Sequence, residues 1–265
     1  MLTPQQQAHF DAFGFLILRQ AFSPEETQQI SQQFDEVLDE DRQGRPFNGE
    51  KRQAVLGFVE KRPLLSHLVE DDRIYEPLEQ LLGPDFVWIG SDGNLYVGDT
   101  NWHPDGSNLG YGRIKVAFYL DPVTKDTGCL RVIPGSHRPP LHEALKPMLE
   151  RRGDPDWAPF AVSPRDIPCF PLESQPGDVV FFNQNLWHSA FGGRTGRRMF
   201  TLNFGAKPTD TSHVDYLVRV YQSNLKHVEQ MQYTQSNRVY EDTFLHSPQP
   251  RIQGMVEKLI ELGFK

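Results

Sequence analysis

The sequence predicts a mainly β fold with flanking helices, in which a sheet sandwich or barrel is supported on its outside by helices. Two observations lead to this prediction. Helical patterns are confined to the two ends of the 265-residue chain, and short strand patterns separated by turn residues fill its middle. A chain of this length fits one large domain. We therefore expect a single domain over 1–265, with helical support over 1–84, a β core over 85–205 and a C-terminal extension over 206–265.

The N-terminal support begins with two helices that carry the same start signal. A Thr-Pro pair begins the first helix, over residues 3–12, and a Ser-Pro pair begins the second, over residues 23–39. Between them, the apolar residues 15–18 suit a strand. Residues 41–63 are polar and are interrupted by glycine and proline. We expect a loop there, which is a possible lid over the functional site.

Helical spacing resumes at residue 64 and continues to residue 82, with a kink or break expected near Pro77 and a stop at a Gly-Pro pair. Short β patterns separated by turn residues then follow at residues 86–89, 94–97, 114–120, 130–133, 178–182 and 199–204. After residue 209 the signal is mixed, and residues 248–265 end in a helical pattern. The β core is therefore expected in the middle of the chain.

Charge and cysteine usage exclude several classes of protein. Lysine and arginine total 27 against 35 acidic residues, a formal net charge of -8, and no run of like charge forms a basic stripe, so nucleic acid is not expected as a partner. Cys129 and Cys169 fit no zinc-ligand spacing and are expected to be free thiols of a cytoplasmic protein. No secretion signal or membrane-spanning run is present. A monomer and a homodimer are both compatible with the sequence.

A pair of side chains with metal-binding chemistry lies in the segment Asn-Trp-His-Pro-Asp-Gly. His103 and Asp105 are two residues apart, so at the end of a strand both side chains point to the same side. His188 follows the strand pattern at 178–182 and can supply a third ligand. Two histidines and one carboxylate form the facial triad of Fe(II) oxygenases, but zinc hydrolases use the same ligand types. The pattern predicts a catalytic metal site, with iron and zinc as alternatives.

An arginine shortly after the last histidine is what a 2-oxoglutarate enzyme requires, because a forked guanidinium best neutralises the distal carboxylate of the cosubstrate in a partly dry pocket. Arg197 and Arg198 follow a glycine-rich turn and lead into a strand. Strand alternation puts Arg197 on the same face as Thr201 and Asn203, which is the more polar face. We prefer Arg197 as the cosubstrate anchor and keep Arg198 as the alternative.

Four stretches of the chain resemble the phytanoyl-CoA dioxygenase family, a branch of the 2-oxoglutarate oxygenases, in family order from about residue 2 to residue 204. They are LTPQQQAHFDAFGFLIL with FSPEE, then NWHPDG, then DTGCLRVIPGSHRP, and finally PGDVVFFNQNLWHSAFGG with RRMFTLNF. The resemblance implies a double-stranded β-helix, that is, a cupin-like jelly roll. It also implies an enzyme that uses Fe(II), 2-oxoglutarate and O2 to hydroxylate an unactivated C–H bond of a small molecule, with release of succinate and CO2.

Position by position, the resemblance assigns the iron ligands to His103, Asp105 and His188, and the carboxylate-binding arginine to Arg197. Asp105 disfavours a halogenase, because related halogenases replace this carboxylate by a small residue that admits chloride. His137 lies in the Pro-Gly-Ser-His turn that resembles a structural signature of the family, so we expect it to support the scaffold rather than bind metal.

Four polar residues on or beside the neighbouring strands are further candidates for cosubstrate or substrate contacts. They are Tyr96, Thr100, Lys115 and Tyr119. The resemblance does not imply phytanoyl-CoA itself as the substrate, because a shared fold does not fix a substrate. Two other interpretations stay open. One is a zinc-dependent hydrolase that uses the same His/Asp/His site, and the other is a non-catalytic jelly-roll binding module.

Overall fold

The computed structural model describes residues 1–151, 154, 157–231 and 238–265, and its centre consists of two antiparallel β-sheets. In the part of the chain that it describes, the larger sheet has the order β1-β8-β5-β10-β3-β2 and the smaller sheet the order β4-β9-β6-β7. The strands are β1 (Phe15–Leu18), β2 (Gln53–Leu56), β3 (Val87–Tyr96), β4 (Thr100–His103), β5 (Arg113–Tyr119), β6 (Leu130–Val132), β7 (Phe170–Leu172), β8 (Val179–Asn183), β9 (His188–Ala190) and β10 (Arg197–Gly205). The predicted mainly β fold with a jelly-roll core is confirmed.

Helices precede and follow these strands and also interrupt them. They are α1 (Pro4–Phe13), α2 (Pro24–Asp41), α3 (Pro63–Ser66), α4 (Asp72–Leu82), α5 (Leu141–Ala144), α6 (Thr211–Met231), α7 (Asp242–Leu245) and α8 (Pro250–Glu261). Thr3 and Ser23 cap α1 and α2 through complete capping boxes, as their Thr-Pro and Ser-Pro signals predict. Among the described residues, none of these helices combines the length and the apolar character needed to cross a bilayer.

The larger sheet has two different faces. On its outer face, Trp88, Phe200 and Phe204 are fully buried and pack with Phe34 of α2 and with Phe58. Burying side chains of this size removes a large apolar area from water and stabilises the fold by roughly 2–3 kcal/mol each. The helices are therefore fixed to the sheet by an aromatic core.

The inner face of the larger sheet looks toward the smaller sheet. A second apolar cluster joins Val180 and Phe182 of β8 to Val132 of β6 and Leu172 of β7, so side chains of both sheets meet there. This cluster fills only part of the space between the sheets. The remainder of the inner face is polar and forms the cavity described below.

The segment 41–63, predicted as a loop and possible lid, differs from that prediction. Residues Gln53–Leu56 form β2, which pairs with β3 at the edge of the larger sheet, and a 3-10 turn follows at Val59–Lys61. Val55 and Phe58 are buried in the helix-facing core, which holds this part of the segment in place. The apolar run at 54–56 is only three residues long and ends at Gly57, which is too short a pattern to indicate a strand.

Two further differences concern the boundaries of helices and strands. The predicted helix over 64–82 is broken at Asp71, whose side chain caps α4, whereas Pro77 lies inside that helix. The patterns at 86–89 and 94–97 are one continuous strand, β3, that runs through Gly90 and Gly93. Residues 232–237 of the predicted C-terminal extension lie outside the described residues.

Candidate metal centre

The two histidines of the predicted triad lie opposite each other on neighbouring strands of the smaller sheet. His103 ends β4 and His188 begins β9, and the two residues are cross-strand partners with ring centroids 4.3 Å apart. The Nδ1 atom of His103 lies 2.8 Å from the carbonyl oxygen of Asn101, and that of His188 lies 2.8 Å from the carbonyl oxygen of Leu186. A carbonyl can only accept, so each Nδ1 carries a proton, and in the neutral ring the lone pair lies on Nε2.

The third member of the triad is held by the backbone just after β4. The amide groups of Asp105 and Gly106 both donate to the carbonyl oxygen of Gln184, each at 2.8 Å. A side chain at Gly106 would collide with Asn185, so this tight approach requires glycine. The carboxylate of Asp105 lies 3.4 Å from Nε2 of His103 and 3.6 Å from Nε2 of His188.

The triad therefore converges on one point. One ligand atom from each of the three residues lies within 4.8 Å of the others. Two atoms that share an ion at the bond lengths of roughly 2.0–2.2 Å made by imidazole and carboxylate ligands are at most roughly 4.4 Å apart, so small rotations of these side chains bring all three onto a single ion. The donor set, two imidazole nitrogens and one carboxylate oxygen, fits a divalent iron with open coordination positions.

The charges around the triad favour the protonation states that bind a metal. Burial raises the pKa of Asp105, but Lys115 and the two histidines outweigh this effect and hold that pKa well below its usual range. Lys115 donates to the Asp105 carboxylate at 2.5 Å. Burial, together with the neighbouring His103, lowers the pKa of His188 to about 3. The carboxylate is thus ionised and the His188 imidazole is neutral at physiological pH.

The triad lies on the wall of a cavity of about 600 Å³ between the two sheets. This volume is within the range of small-molecule sites. Among the described residues, the cavity is lined by all three triad members and by Tyr96, Thr100, Lys115, Tyr119 and Arg197. The structure therefore brings the predicted metal ligands and these predicted contact residues to one site.

Arg197 is the residue in this cavity whose guanidinium most clearly lacks a partner. The side chain is 2% exposed, its Nε and Nη1 atoms are buried without a hydrogen bond, and no described carboxylate forms an ion pair with it. Its guanidinium lies 5.1 Å from the ring centroid of Tyr96. A side chain at Gly128 or Gly193 would collide with Nη1, so these two glycines make the space that the guanidinium occupies.

Arg198, the alternative anchor, lies on the opposite face of β10 and does not line the cavity. Its guanidinium donates to Asp121 at 3.0 Å, to Asp35 at 2.8 Å and to Ser31 at 2.8 Å. These contacts connect β10 to α2 and neutralise the charge of the Arg198 guanidinium. Of the two neighbouring arginines, Arg197 alone is directed to the cavity.

His137, predicted to be structural, lies away from the triad. It packs beneath Gly14 at the end of α1, where a β-carbon would come within 2.6 Å of its Nδ1 atom. Burial lowers its pKa, so it is neutral there. Its place in the fold is at the junction between α1 and the turn that follows β6.

Several further residues of the cavity wall were not predicted from the sequence. They are Arg52, Asp92, Arg113, Gln184, Tyr216 and Arg219. Arg113 could have been found, because it shares a strand face with Lys115 and Tyr119 by simple alternation. The others come from the residue before β2, from β3 and α6 or from the residue after β8, and no local pattern connects them to the triad.

Comparison with known proteins places these observations in a family. A sequence profile described as phytanoyl-CoA dioxygenase (PhyH) matches residues 10–200. Ectoine dioxygenase of Sphingopyxis alaskensis is 24% identical over 221 residues, which cover 73% of this chain and 72% of that protein. A probable phytanoyl-CoA dioxygenase of Caenorhabditis elegans is 24% identical over 231 residues, with 74% of this chain and 72% of that protein covered.

Solved structures share the fold at lower identity. HygX from Streptomyces hygroscopicus, with nickel and 2-oxoglutarate bound, superposes with a TM-score of 0.61 at 19% identity and covers 79% of this chain and 88% of its own. EctD from S. alaskensis with bound Fe gives a TM-score of 0.59 at 22% identity, with 77% of each chain covered. The arrangement of two sheets and flanking helices is therefore one that other enzymes use.

Proposed function

The chain belongs to the phytanoyl-CoA dioxygenase family, and we propose that His103, Asp105 and His188 hold Fe(II) while Arg197 binds the distal carboxylate of 2-oxoglutarate. The protein is an Fe(II)- and 2-oxoglutarate-dependent dioxygenase. In the reaction that we propose, an unactivated C–H bond of a small molecule is hydroxylated, and 2-oxoglutarate is converted to succinate and CO2. Bound Fe(II) would supply the activation of O2.

The proposal rests on one observation: a cluster of three metal-binding atoms shares one cavity with a buried arginine that has no acidic partner among the described residues. A buried guanidinium that lacks an anion is costly, because it loses hydration and gains no ion pair. A bound dicarboxylate removes that cost at Arg197 and leaves its other end free for the metal.

The protein residues around the metal have separate tasks. The backbone carbonyl groups that accept from Nδ1 fix the orientation of both imidazole rings. Lys115 keeps Asp105 ionised through their short ion pair. Tyr96 and Thr100 line the cavity near the proposed cosubstrate and can donate hydrogen bonds to its carboxylates. The enclosure between two sheets limits the access of water to the reacting groups.

A spectroscopic titration tests the proposal. Under anaerobic conditions, Fe(II) and 2-oxoglutarate added together should produce a visible metal-to-ligand charge-transfer band that neither gives alone. Metal analysis of the purified protein and the release of succinate in air provide independent readouts. A protein that retains zinc stoichiometrically, gives no charge-transfer band and releases no succinate would contradict the proposal and support the hydrolase.

A further inference from the structure

A second arginine without an acidic partner lines the cavity. Arg113, the first residue of β5, is 7% exposed, and its guanidinium makes a hydrogen bond from Nη1 to the Tyr216 hydroxyl at 2.7 Å. Its Nε atom is buried without a partner, and no carboxylate among the described residues forms an ion pair with it. As with Arg197, a buried cation in this state is costly until an anion reaches it.

The inward face of β5 shows where Arg113 lies relative to the metal ligands. Arg113, Lys115, Ala117 and Tyr119 alternate on this face and all line the cavity. Lys115 contacts Asp105, whereas the residue that pairs with Tyr119 in β10 is Met199, two positions from Arg197. Along the strand, Arg113 and Arg197 are therefore on opposite sides of the metal ligands.

This order prevents one cosubstrate molecule from serving both arginines. At a rise of about 3.3 Å per residue, the first and last inward residues of β5 are roughly 20 Å apart. A 2-oxoglutarate that contacts the metal and Arg197 has no further carboxylate for Arg113. An anion at Arg113 must come from another molecule in the cavity.

The charge of the cavity wall leads to the same conclusion. The chain as a whole has a formal net charge of -8. Its cavity has the opposite balance, with five basic residues, Arg52, Arg113, Lys115, Arg197 and Arg219, against the acidic Asp92 and Asp105 among the described lining residues. Fe(II) and the 2-oxoglutarate dianion would cancel each other's charge. The excess of positive charge therefore remains when both are bound, and it attracts anions.

We infer that the substrate is a small molecule with a carboxylate or phosphate group, and that Arg113 binds this group while the carbon to be oxidised lies beside the metal ligands. The inference rests on the proposed function, because it assigns the Arg197 end to the cosubstrate. Tyr216 holds the guanidinium in place by accepting from Nη1. A guanidinium fork binds carboxylate and phosphate oxygens through the same charge-assisted hydrogen bonds.

The experiment compares matched anionic and neutral probes on protein loaded with Ni(II) and saturating 2-oxoglutarate, so that the Arg197 end is occupied. The pairs are benzoate with benzamide, cyclohexanecarboxylate with its carboxamide, and benzyl phosphate with benzyl alcohol. Dissociation constants are measured by ligand-observed NMR. We expect the anionic member of at least one pair to bind ~10- to 100-fold more tightly than its neutral partner. The carboxylate and phosphate pairs show which anion the site prefers.

Two variants of Arg113 locate the effect. Arg113→Gln should abolish the preference for the anion and leave the affinity for 2-oxoglutarate unchanged, whereas Arg113→Lys should retain part of the preference because it keeps the charge. Arg198→Gln, which lies outside the cavity, is the matched control and should retain the full preference. If Arg113→Gln does not fold, a reduced preference in Arg113→Lys with normal 2-oxoglutarate affinity still supports the inference.

Two results would overturn the inference: no anion binds more tightly than its neutral partner, or the preference survives unchanged in both Arg113 variants. The outcome is separate from that of the proposed function. If the wild-type protein gives no charge-transfer band with Fe(II) and 2-oxoglutarate, the result argues against the dioxygenase assignment. An intact band without any preference for anions argues only against the role of Arg113.

Discussion

Arg197 and Arg113 lie at the two ends of one cavity, and their surroundings differ. The Arg197 end is enclosed by β3, β5 and β10 and by Gly128 and Gly193, which make room for the guanidinium. The Arg113 end is bounded by α6, which supplies Tyr216 and the exposed Arg219. The family profile ends at residue 200, before α6 begins.

This difference shows how the fold separates two tasks. The end proposed for the cosubstrate is built from strands that belong to the jelly roll itself. The end proposed for the substrate depends on a helix attached outside the matched region. Substrate choice can change there without a change in the metal site, which is how one fold supports many activities.

The largest expected effect is at the triad, which both ends share. Asp105→Ala removes one of the three proposed metal ligands and leaves Lys115 without its ionic partner. We expect succinate release to fall by more than about 100-fold, since changes even beyond the ligands themselves cost about 10–100-fold in metalloenzymes. Metal content and succinate are measured together. Asp85→Ala, which breaks an exposed ion pair with Lys207, is the control and should keep the wild-type metal content and succinate release.

The adjacent arginines allow a sharper test of the cosubstrate end. Arg197→Gln removes the proposed carboxylate anchor, and we expect the KM for 2-oxoglutarate to rise by about 100-fold, the cost of a lost buried charged contact. Arg198→Gln should leave that KM unchanged and lower the free energy of unfolding by about 1 kcal/mol, because it breaks partly exposed ion pairs with Asp121 and Asp35. Equal effects of the two substitutions on KM would contradict the assignment.

A third test concerns the support of the Arg113 end. Glu60 follows β2, whose residues Ala54 and Leu56 line the cavity, and it accepts hydrogen bonds from Trp88 Nε1 at 2.8 Å and from the Glu241 amide at 2.7 Å. Burial raises its pKa from 4.5 to about 7. Its contribution to stability is therefore fully present below pH 4.5 and is lost as the pH rises through 7.

The measurement for Glu60 is the free energy of unfolding as a function of pH. Between pH 4.5 and 8, the wild-type protein should lose about 3 kcal/mol relative to Glu60→Gln, which cannot ionise. The Arg197 end is remote from Glu60 in the fold, so the affinity for 2-oxoglutarate should show no matching change. Parallel pH profiles for wild type and variant would contradict the raised pKa.

The smallest expected effect tests the glycines around Arg197. A methyl group at Gly193 collides with Nη1, so Gly193→Ala should displace the guanidinium and weaken 2-oxoglutarate binding by about tenfold, the equivalent of roughly 1.4 kcal/mol. Gly254→Ala is the matched control, because a β-carbon there meets no atom within 4 Å. An unchanged affinity in Gly193→Ala would mean that the anchor tolerates displacement.

Local sequence signals predicted the elements whose information lies within a few residues. The cap-plus-proline pairs at Thr3 and Ser23 begin α1 and α2, and strand alternation separates Arg197 from Arg198 on the two faces of β10. The short strands β2, β7 and β9 were not predicted, and β4 was expected only as a strand end that carries His103. Each has three or four residues, too few for a period to emerge, and each is a strand because of its neighbours in the sheet.

The sequence by itself determined the residue types and order of the proposed chemistry: His103 with Asp105, then His188, then an arginine. It also determined the fold class, because strand patterns fill the middle of the chain. Tertiary structure alone decided that Arg113 shares the cavity with the triad, that Tyr216 holds it and that no described carboxylate satisfies it. Whether a buried charge has a partner depends on residues more than 100 positions apart in the chain, and no local pattern records such a contact.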